Sequence, residues 1–334
     1  MKRRWQLWLG LTLSGVALVA ALARIDLSRV GQTLAQADYR YLIPAVVLLM
    51  AYLLSRSVRW RLLLGPQVRL GHCFWVTNIG YLVSNVLPFR LGDPARAVVI
   101  GRGGKVTASA ALSTVVVERV LDMLSVTALL AAIAPWIPGA ASTLTAGLVA
   151  GGAALVALAV LLTLAFRPDW GRQTLRWALN RTPRLDGDRW AQKLDGLFDG
   201  LSALRSGWRS LALVAGSIAI WACVVGYYWA ILRAFLPQPP ALAAPFLTCV
   251  LALGMAVPSS PGAVGVFHAV ARYGLTLPFG VPENEAIAVA FAAHALQYLL
   301  MCLLGLVGLA RESLSLGTLC LLYTSDAADD LLCV

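Results

Sequence analysis

"SNVLPFRLGDPARAVV" occupies residues 84–99 and interrupts an otherwise apolar stretch. Pro88 and Pro94, Gly92, Arg90, Arg96 and Asp93 fall within it. Proline removes a backbone donor and restricts the residue before it, so one continuous helix cannot run through this segment. How the chain passes it decides the topology.

The surrounding composition fixes the setting. Of 334 residues, 59% are hydrophobic and 13% charged, with a mean hydropathy of +0.76. Soluble domains carry about 25% charged residues, so the chain reads as an integral membrane protein. Its formal charge is +11. In such a protein a basic excess marks cytoplasmic loops facing anionic lipid. No nucleic-acid-reading motif appears. Membrane lipids, as anionic phospholipids or lipid-linked headgroups, are the expected partners.

A spanning helix needs about 20 apolar residues. Segments 5–23, 41–55 extending towards Trp60, 107–134, 142–166, 211–235 and 285–310 meet that need. Two more, 72–87 and 242–257, are short and end at prolines. Lys2, Arg3 and Arg4 place the N-terminus in the cytoplasm, and two crossings bring Arg56, Arg59, Arg61 and Arg69 back to that side. The basic region 167–209 also belongs inside. It is reached through 107–134 and 142–166, joined by the uncharged "PWIPGAAS". Residues 72–104 must therefore enter and leave on one face, as a re-entrant hairpin. The same parity makes 242–283 re-entrant from the outside, with its break at "VPSSPGAVGVFH" (257–268). The expected architecture is all-α: a polytopic helical bundle of six full spans and two re-entrant hairpins, about eight membrane segments. Irregular backbone at membrane depth survives only where it lines a cavity or is buried in protein, and transporters use discontinuous helices in this way.

Three further regions need a reading. The N-terminus could pass for a signal peptide, with "ALA" at 21–23, but is long enough to be an uncleaved first span. Within 167–209, Trp190, Leu194, Leu197, Leu201 and Leu204 recur at helical spacing, as in an amphipathic surface helix or a cytoplasmic linker helix. "CLLYTSDAADD" (Cys320–Asp330) resembles the in-frame translation of a transposase-type sequencing-library adapter. Residues 320–334 are therefore set aside as an artefactual tail, and 1–319 are treated as one domain. Cys73, Cys223, Cys249 and Cys302 are scattered in apolar runs and read as buried thiols, with no metal or disulfide spacing.

The breaks share a pattern. Asp93 precedes Pro94 and Ser260 precedes Pro261. A capping residue followed by proline at the first helical position starts a helix. Each break would then aim a helix N-terminus into the membrane, where free N–H groups attract anions. Gly92, Gly262 and Gly265 would permit close backbone approach. Arg90 and Arg96 suit bidentate phosphate contact; the plainer alternatives are proline-stiffened turns and cytoplasmic arginines. "STVVVERVLDMLSV" (113–126) adds Glu118, Arg119 and Asp122 inside an apolar span, where charges face a cavity or a partner. They read as a structural ion-pair network, as the lining of a headgroup path or as a proton-linked pair. Arg56 and Arg59 read as boundary anchors beside Trp60. His268 and His294 read as proton relays, headgroup contacts or satisfied core histidines, and Asn85 as a hairpin hydrogen-bonder. No catalytic set, metal site or cofactor motif is visible.

In order along the chain, "RSVRWRLLL" (56–64), "NVLPFRLGDPARA" (85–97), "VVVERVLDM" (115–123) and "PSSPGAVGVFHA" (258–269) resemble the lysylphosphatidylglycerol synthase transmembrane region, or flippase-like domain, family. The resemblance covers most of 1–312. That family commonly has Glu where this chain has Asp93, and often Glu at the position of His268, so an acidic role there does not carry over. The resemblance implies a lipid-translocating protein of a bacterial-type plasma membrane rather than a synthase, since no soluble aminoacyl-transferase region is present in this chain. A separate transferase is a possible partner under this reading. Arg90, Arg96 and Arg119 would contact a lipid phosphate, assisted by Asp93, Ser260 and Gly262. The remaining polar positions, Asn85, Glu118, Asp122, His268 and His294, would form the intramembrane network. A membrane subunit of a lipid-modifying transferase and a non-transporting assembly factor are the alternatives.

Overall fold

A computed structural model describes residues 12, 15–22, 25–87, 91–139, 141–170, 173, 195, 196, 198, 200–255 and 260–314. The fold is all-helical, 85% helix, with no strand among the described residues. After a helical segment at 15–22, the described residues form ten α-helices: α1 (Leu27–Ala35), α2 (Leu42–Leu64), α3 (Leu70–Val86), α4 (Gly92–Gly101), α5 (Ala108–Ile133), α6 (Ala141–Phe166), α7 (Gly207–Phe235), α8 (Ala243–Gly254), α9 (Val266–Phe279) and α10 (Glu283–Arg311).

Four of these, α2 with its preceding turn, α6, α7 and α10, are long and apolar enough to cross a membrane. They coincide with four of the six spans expected from sequence. The fifth, α5, has 26 residues, as α6 does, but carries Glu118, Arg119 and Asp122 near its middle. Its length suits a crossing and its charge does not, unless those side chains find partners. Most of the sixth, 5–23, lies outside the described residues. So do the 320–334 tail and most of 167–209. The described end of that basic region packs on protein: Leu201 and Leu204 join Leu63, Val117 and Leu213 in one apolar cluster.

Both broken segments fold into helix pairs. α3 and α4 pack on each other across the break, and so do α8 and α9. Small residues set the first approach: a Cβ on Gly92 would run into the Gly80 carbonyl and Ser84 Oγ. α10 lies along α3 in the same manner, because Gly305 and Gly308 present bare backbone to Asn78, Leu82 and Ile79. α2 runs along α7, and α5 against α6, where Thr127 Oγ1 donates to the Gly147 carbonyl at 3.0 Å. The largest apolar core unites α2, α7, α8, α9 and α10 through Leu49, Leu53, Ile231, Leu247, Leu275 and Ile287.

The helix starts differ from the expected ones. α4 begins at Gly92 with Leu91 as its cap residue, and no side chain caps it. Asp93 and Pro94 sit inside the first turn, because the Asp93 carboxylate is bonded to arginines instead. At the second break Ser260 and Pro261 open only a single 3₁₀ turn, Pro261–Ala263. Gly262 (φ +65°) and Gly265 (φ +89°) then turn the chain again, so α9 starts at Val266 with Gly265 as its cap.

Candidate functional site

Four arginines and three carboxylates meet between α2, α4 and α5. Arg56 Nη1 donates to Asp122 Oδ2 at 2.9 Å, and Arg59 Nη2 to Asp122 Oδ1 at 2.6 Å. Arg59 also donates to Ser217 Oγ at 2.9 Å and lies 3.7 Å from Glu118. Arg96 pairs with Glu118, approaches Asp93 Oδ1 at 3.3 Å and stacks over the Trp60 ring at 4.7 Å. Arg119 grips Asp93 Oδ2 with two donors, at 2.8 and 2.6 Å. Arg56, Arg59, Arg96, Glu118 and Asp122 are buried. The Arg119 side chain stays 55% exposed.

Helix phase explains the gathering. Glu118 and Asp122 are four residues apart and share a face of α5, while Arg119 stands beside them. Arg56 and Arg59 are three apart on α2 and reach that face together. A buried carboxylate is tolerable only when paired and hydrogen-bonded, and Asp122 takes one arginine on each oxygen. The four guanidiniums exceed the three carboxylates by one positive charge.

Beside this network lies a cavity of about 420 Å³. Arg56, Asp93, Arg119 and Asp122 form its charged end. The first break contributes Ser84, Asn85 and Leu87, and the second contributes Met255, Ser260, Gly262 and Ala263. Segments about 170 residues apart in sequence thus face one space, and the Gly262 turn lies close to the Asn85 carbonyl. Much of the remaining lining is aromatic, with Tyr52, Tyr81, Trp221, Tyr227, Tyr228 and Tyr298, and Tyr52 adjoins the charged end, where the Arg56 guanidinium lies 5.9 Å from its ring centroid. Tyr52 and Tyr81 join hydroxyls at 2.8 Å, and the buried Trp221 Nε1 has no acceptor among the described residues.

Behind the second break the two histidines lie 5.0 Å apart between ring centroids. His268 Nδ1 accepts from the Gly265 N–H at 3.3 Å, closing the start of α9. His294 stacks on Phe267 at 4.6 Å and makes a polar contact with the Gly262 backbone. Only His294 of the two lines the cavity. Asn85 Nδ2 donates to Cys302 Sγ at 3.7 Å, which ties the first break to α10.

Of the expected phosphate ligands, Arg119, Asp93, Ser260 and Gly262 reach the cavity, and Arg96 is not among its lining residues. Arg90 lies outside the described residues. Sequence reasoning placed Arg56 and Arg59 at the membrane boundary, whereas both are buried in the charge network. Their three-residue spacing on one helix face was the available signal. No cluster of three or more His, Cys, Asp or Glu side chains suited to a metal ion exists among the described residues.

The family model described as the lysylphosphatidylglycerol synthase TM region matches residues 7–305. The chain is similar to a UPF0104 membrane protein of Methanocaldococcus jannaschii, 29% identical over 117 residues, which are 34% of this chain and 35% of that protein. A UPF0104 membrane protein of Methanothermobacter thermautotrophicus is 30% identical over 112 residues, 32% and 33% of the two chains. The glycosyltransferase AglD of Haloferax volcanii is 25% identical over 353 aligned positions, which cover 95% of this chain and 56% of that protein. The similarity thus spans from one third to just over half of these relatives' own length. No solved structure matches.

Proposed function

Since the chain belongs to the lysylphosphatidylglycerol synthase TM region family, we propose that this integral membrane protein takes a phosphate-bearing lipid headgroup into the cavity between its two broken helix pairs and passes it across the bilayer. The observation that carries this reading is the shared cavity: both breaks open onto one space with a charged end and an aromatic wall. In this reading α3–α4 and α8–α9 are re-entrant hairpins of opposite orientation, the bundle has six full spans, and the N-terminus is cytoplasmic in a bacterial-type plasma membrane. Breaks placed at membrane depth need a cavity or protein around them, and here both have one.

Arg119 is the phosphate ligand of this proposal. Its guanidinium presents two donors to a single carboxylate oxygen of Asp93, and a phosphate offers the same acceptors with more charge. An incoming headgroup would exchange with Asp93, and Arg56 would add a second positive wall. Ser260 and the Gly262 turn would meet the headgroup from the other hairpin. Arg96 would act from behind, by holding Glu118 and Asp93 in place.

Reconstituted vesicles carrying a fluorescent phosphatidylglycerol test the reading through the rate at which headgroups reach the far leaflet. Arg119→Gln is expected to reduce that rate at least tenfold, and Arg119→Lys to restore only part of it, because lysine lacks the fork. Wild-type rates in Arg119→Gln would overturn the assignment of the cavity. Wild-type rates in an Arg90→Ala, Arg96→Ala double variant would remove those two from phosphate contact and leave the cavity reading standing.

A second reading, a membrane subunit of a lipid-modifying transferase, is favoured by the similarity to AglD across 95% of the chain. It is tested by whether a transferase co-purifies and whether lipid modification, rather than leaflet exchange, fails in Arg119→Gln. A non-transporting assembly factor would need no cavity beside its paired charges, and the 420 Å³ space speaks for transport instead.

A further inference from the structure

A second recess, of about 390 Å³, lies at the base of the first hairpin, where α3 begins and α4 ends. Val68, Arg69, His72, Ile100, Gly103 and Lys105 line it, and it shares no residue with the central cavity. Its cations differ in state from those of the network above. There every guanidinium has a carboxylate. Here the side chains of Arg69 and Lys105 have no ion pair or hydrogen-bond partner among the described residues.

The walls are fixed. Arg61 Nε donates to the Val68 carbonyl at 2.9 Å, and Val68 is only 2% exposed, so the loop before α3 is pinned. His72 Nδ1 lies 2.8 Å from Glu312 Oε1, which turns Nε2 towards Gly103. The start of α3 adds to the field. No side chain caps this 17-residue helix, and a Cβ on Gly71 would meet nothing within 4 Å, so its first N–H groups are open. Uncapped N–H groups and the positive dipole end favour an anion. The opposing end of α4 does little to cancel this, because the N–H groups of Arg102, Gly103 and Gly104 already bond the carbonyls of Val98, Ile100 and Gly101.

We infer that this recess binds a phosphate group, held between the Arg69 guanidinium and the Lys105 ammonium with His72 Nε2 at its floor. Paired cations lose most of their attraction for an added anion; the unpaired Arg69 and Lys105, both exposed at the rim of the recess, keep it. The phosphate can come from an anionic lipid headgroup at the bilayer surface or from a free phosphate, and the recess suits either chemistry.

Calorimetric titration of the intact protein in a neutral detergent separates these sources. The probes are a short-chain phosphatidylglycerol and inorganic phosphate, each against wild type, Arg69→Gln/Lys105→Gln and Arg102→Gln. Arg102 is an exposed neighbour outside the recess. Each cation near the surface is worth about fivefold in affinity, so the recess of the double variant is expected to bind about 30-fold more weakly, while phosphatidylglycerol taken up by the central cavity appears as a separate step that the double variant keeps. Arg102→Gln should bind as wild type does. Binding of phosphatidylglycerol alone assigns the site to lipid; binding of both probes assigns it to phosphate from either source. Binding of neither probe to wild type, equal binding by the double variant, or an equal loss in Arg102→Gln would overturn the inference. Because Arg69 and Lys105 stand apart from the central cavity, a failure here leaves the translocation reading untouched.

Discussion

The two broken helix pairs share a plan and differ in what holds it. Each is a helix, a proline-bearing break and a returning helix packed on the first. The first is held by charge: Asp93 and Arg96 on its return arm bond Arg119 and Glu118 of α5. The second carries no carboxylate in its break. It is held by backbone turns at Gly262 and Gly265, by ring stacking, by the hydrogen bond that His268 accepts from the Gly265 N–H and by a polar contact of His294 with the Gly262 backbone. The same cavity therefore has one wall fixed by long-range, geometry-tolerant forces and one fixed by short-range contacts. A charged ligand perturbs the first directly, by competing for Arg119. The second yields only if its packing changes.

The largest expected effect tests the charged side. Asp122→Ala leaves both Arg56 and Arg59 without their main partner in a buried setting. Removing one member of a buried ion pair costs about 3–5 kcal/mol. Thermal unfolding in detergent should show a large drop in midpoint. A midpoint within about a degree of wild type would mean that the first hairpin is not anchored by charge, and the comparison would collapse.

Gly262→Ala tests the other side. Its φ of +65° disfavours any side chain, and the added Cβ would lie 2.8 Å from Tyr298 Cε2. The left-handed conformation alone costs about 1–2 kcal/mol, and Tyr298 must shift as well. Gly104→Ala has a similar φ of +70° and open space around it, so it isolates the backbone cost. Gly262→Ala should destabilise more than Gly104→Ala and should also slow leaflet exchange. If the two variants unfold alike, Tyr298 accommodates the methyl group and the second hairpin is looser than its contacts imply.

Much of this contrast was legible in the sequence, and its gaps have physical causes. The breaks announced themselves, because Pro88, Pro94, Pro258 and Pro261 cannot sit quietly in apolar helices. Glu118, Arg119 and Asp122 were visible as charges in a would-be span. The helix starts were not legible. Asp93 has the residue type of a cap, but charge-assisted bonds to Arg96 on its own helix and to Arg119 outcompete bonds to backbone N–H groups, and Arg119 comes from elsewhere in the fold. Arg56 and Arg59 resembled interface anchors because the boundary of α2 was drawn by hydropathy. Only the packing of α2 on α5 and α7 shows that the helix continues and carries both arginines inwards. The aromatic wall had no periodic signature at all, since its members come from four helices.

The smallest expected effect dissects the second hairpin itself. His294 does two things: its ring stacks on Phe267 with an interplanar angle of 21°, and it makes a polar contact with the Gly262 backbone. His294→Phe keeps an aromatic ring over Phe267 and loses the contact, at no more than about 0.5–1.5 kcal/mol. His294→Leu loses the contact and the stack together, with a further loss of about 0.5–1.5 kcal/mol. Unfolding midpoints should therefore fall in the order wild type, His294→Phe, His294→Leu. Leaflet exchange should respond differently: if the Gly262 turn must be held for headgroup entry, His294→Phe already slows it, and the change to Leu adds little. Equal exchange in wild type and His294→Phe would make the stack, rather than the tether, the feature that shapes this wall, and would leave Arg119 at the charged end as the part of the cavity on which transport depends.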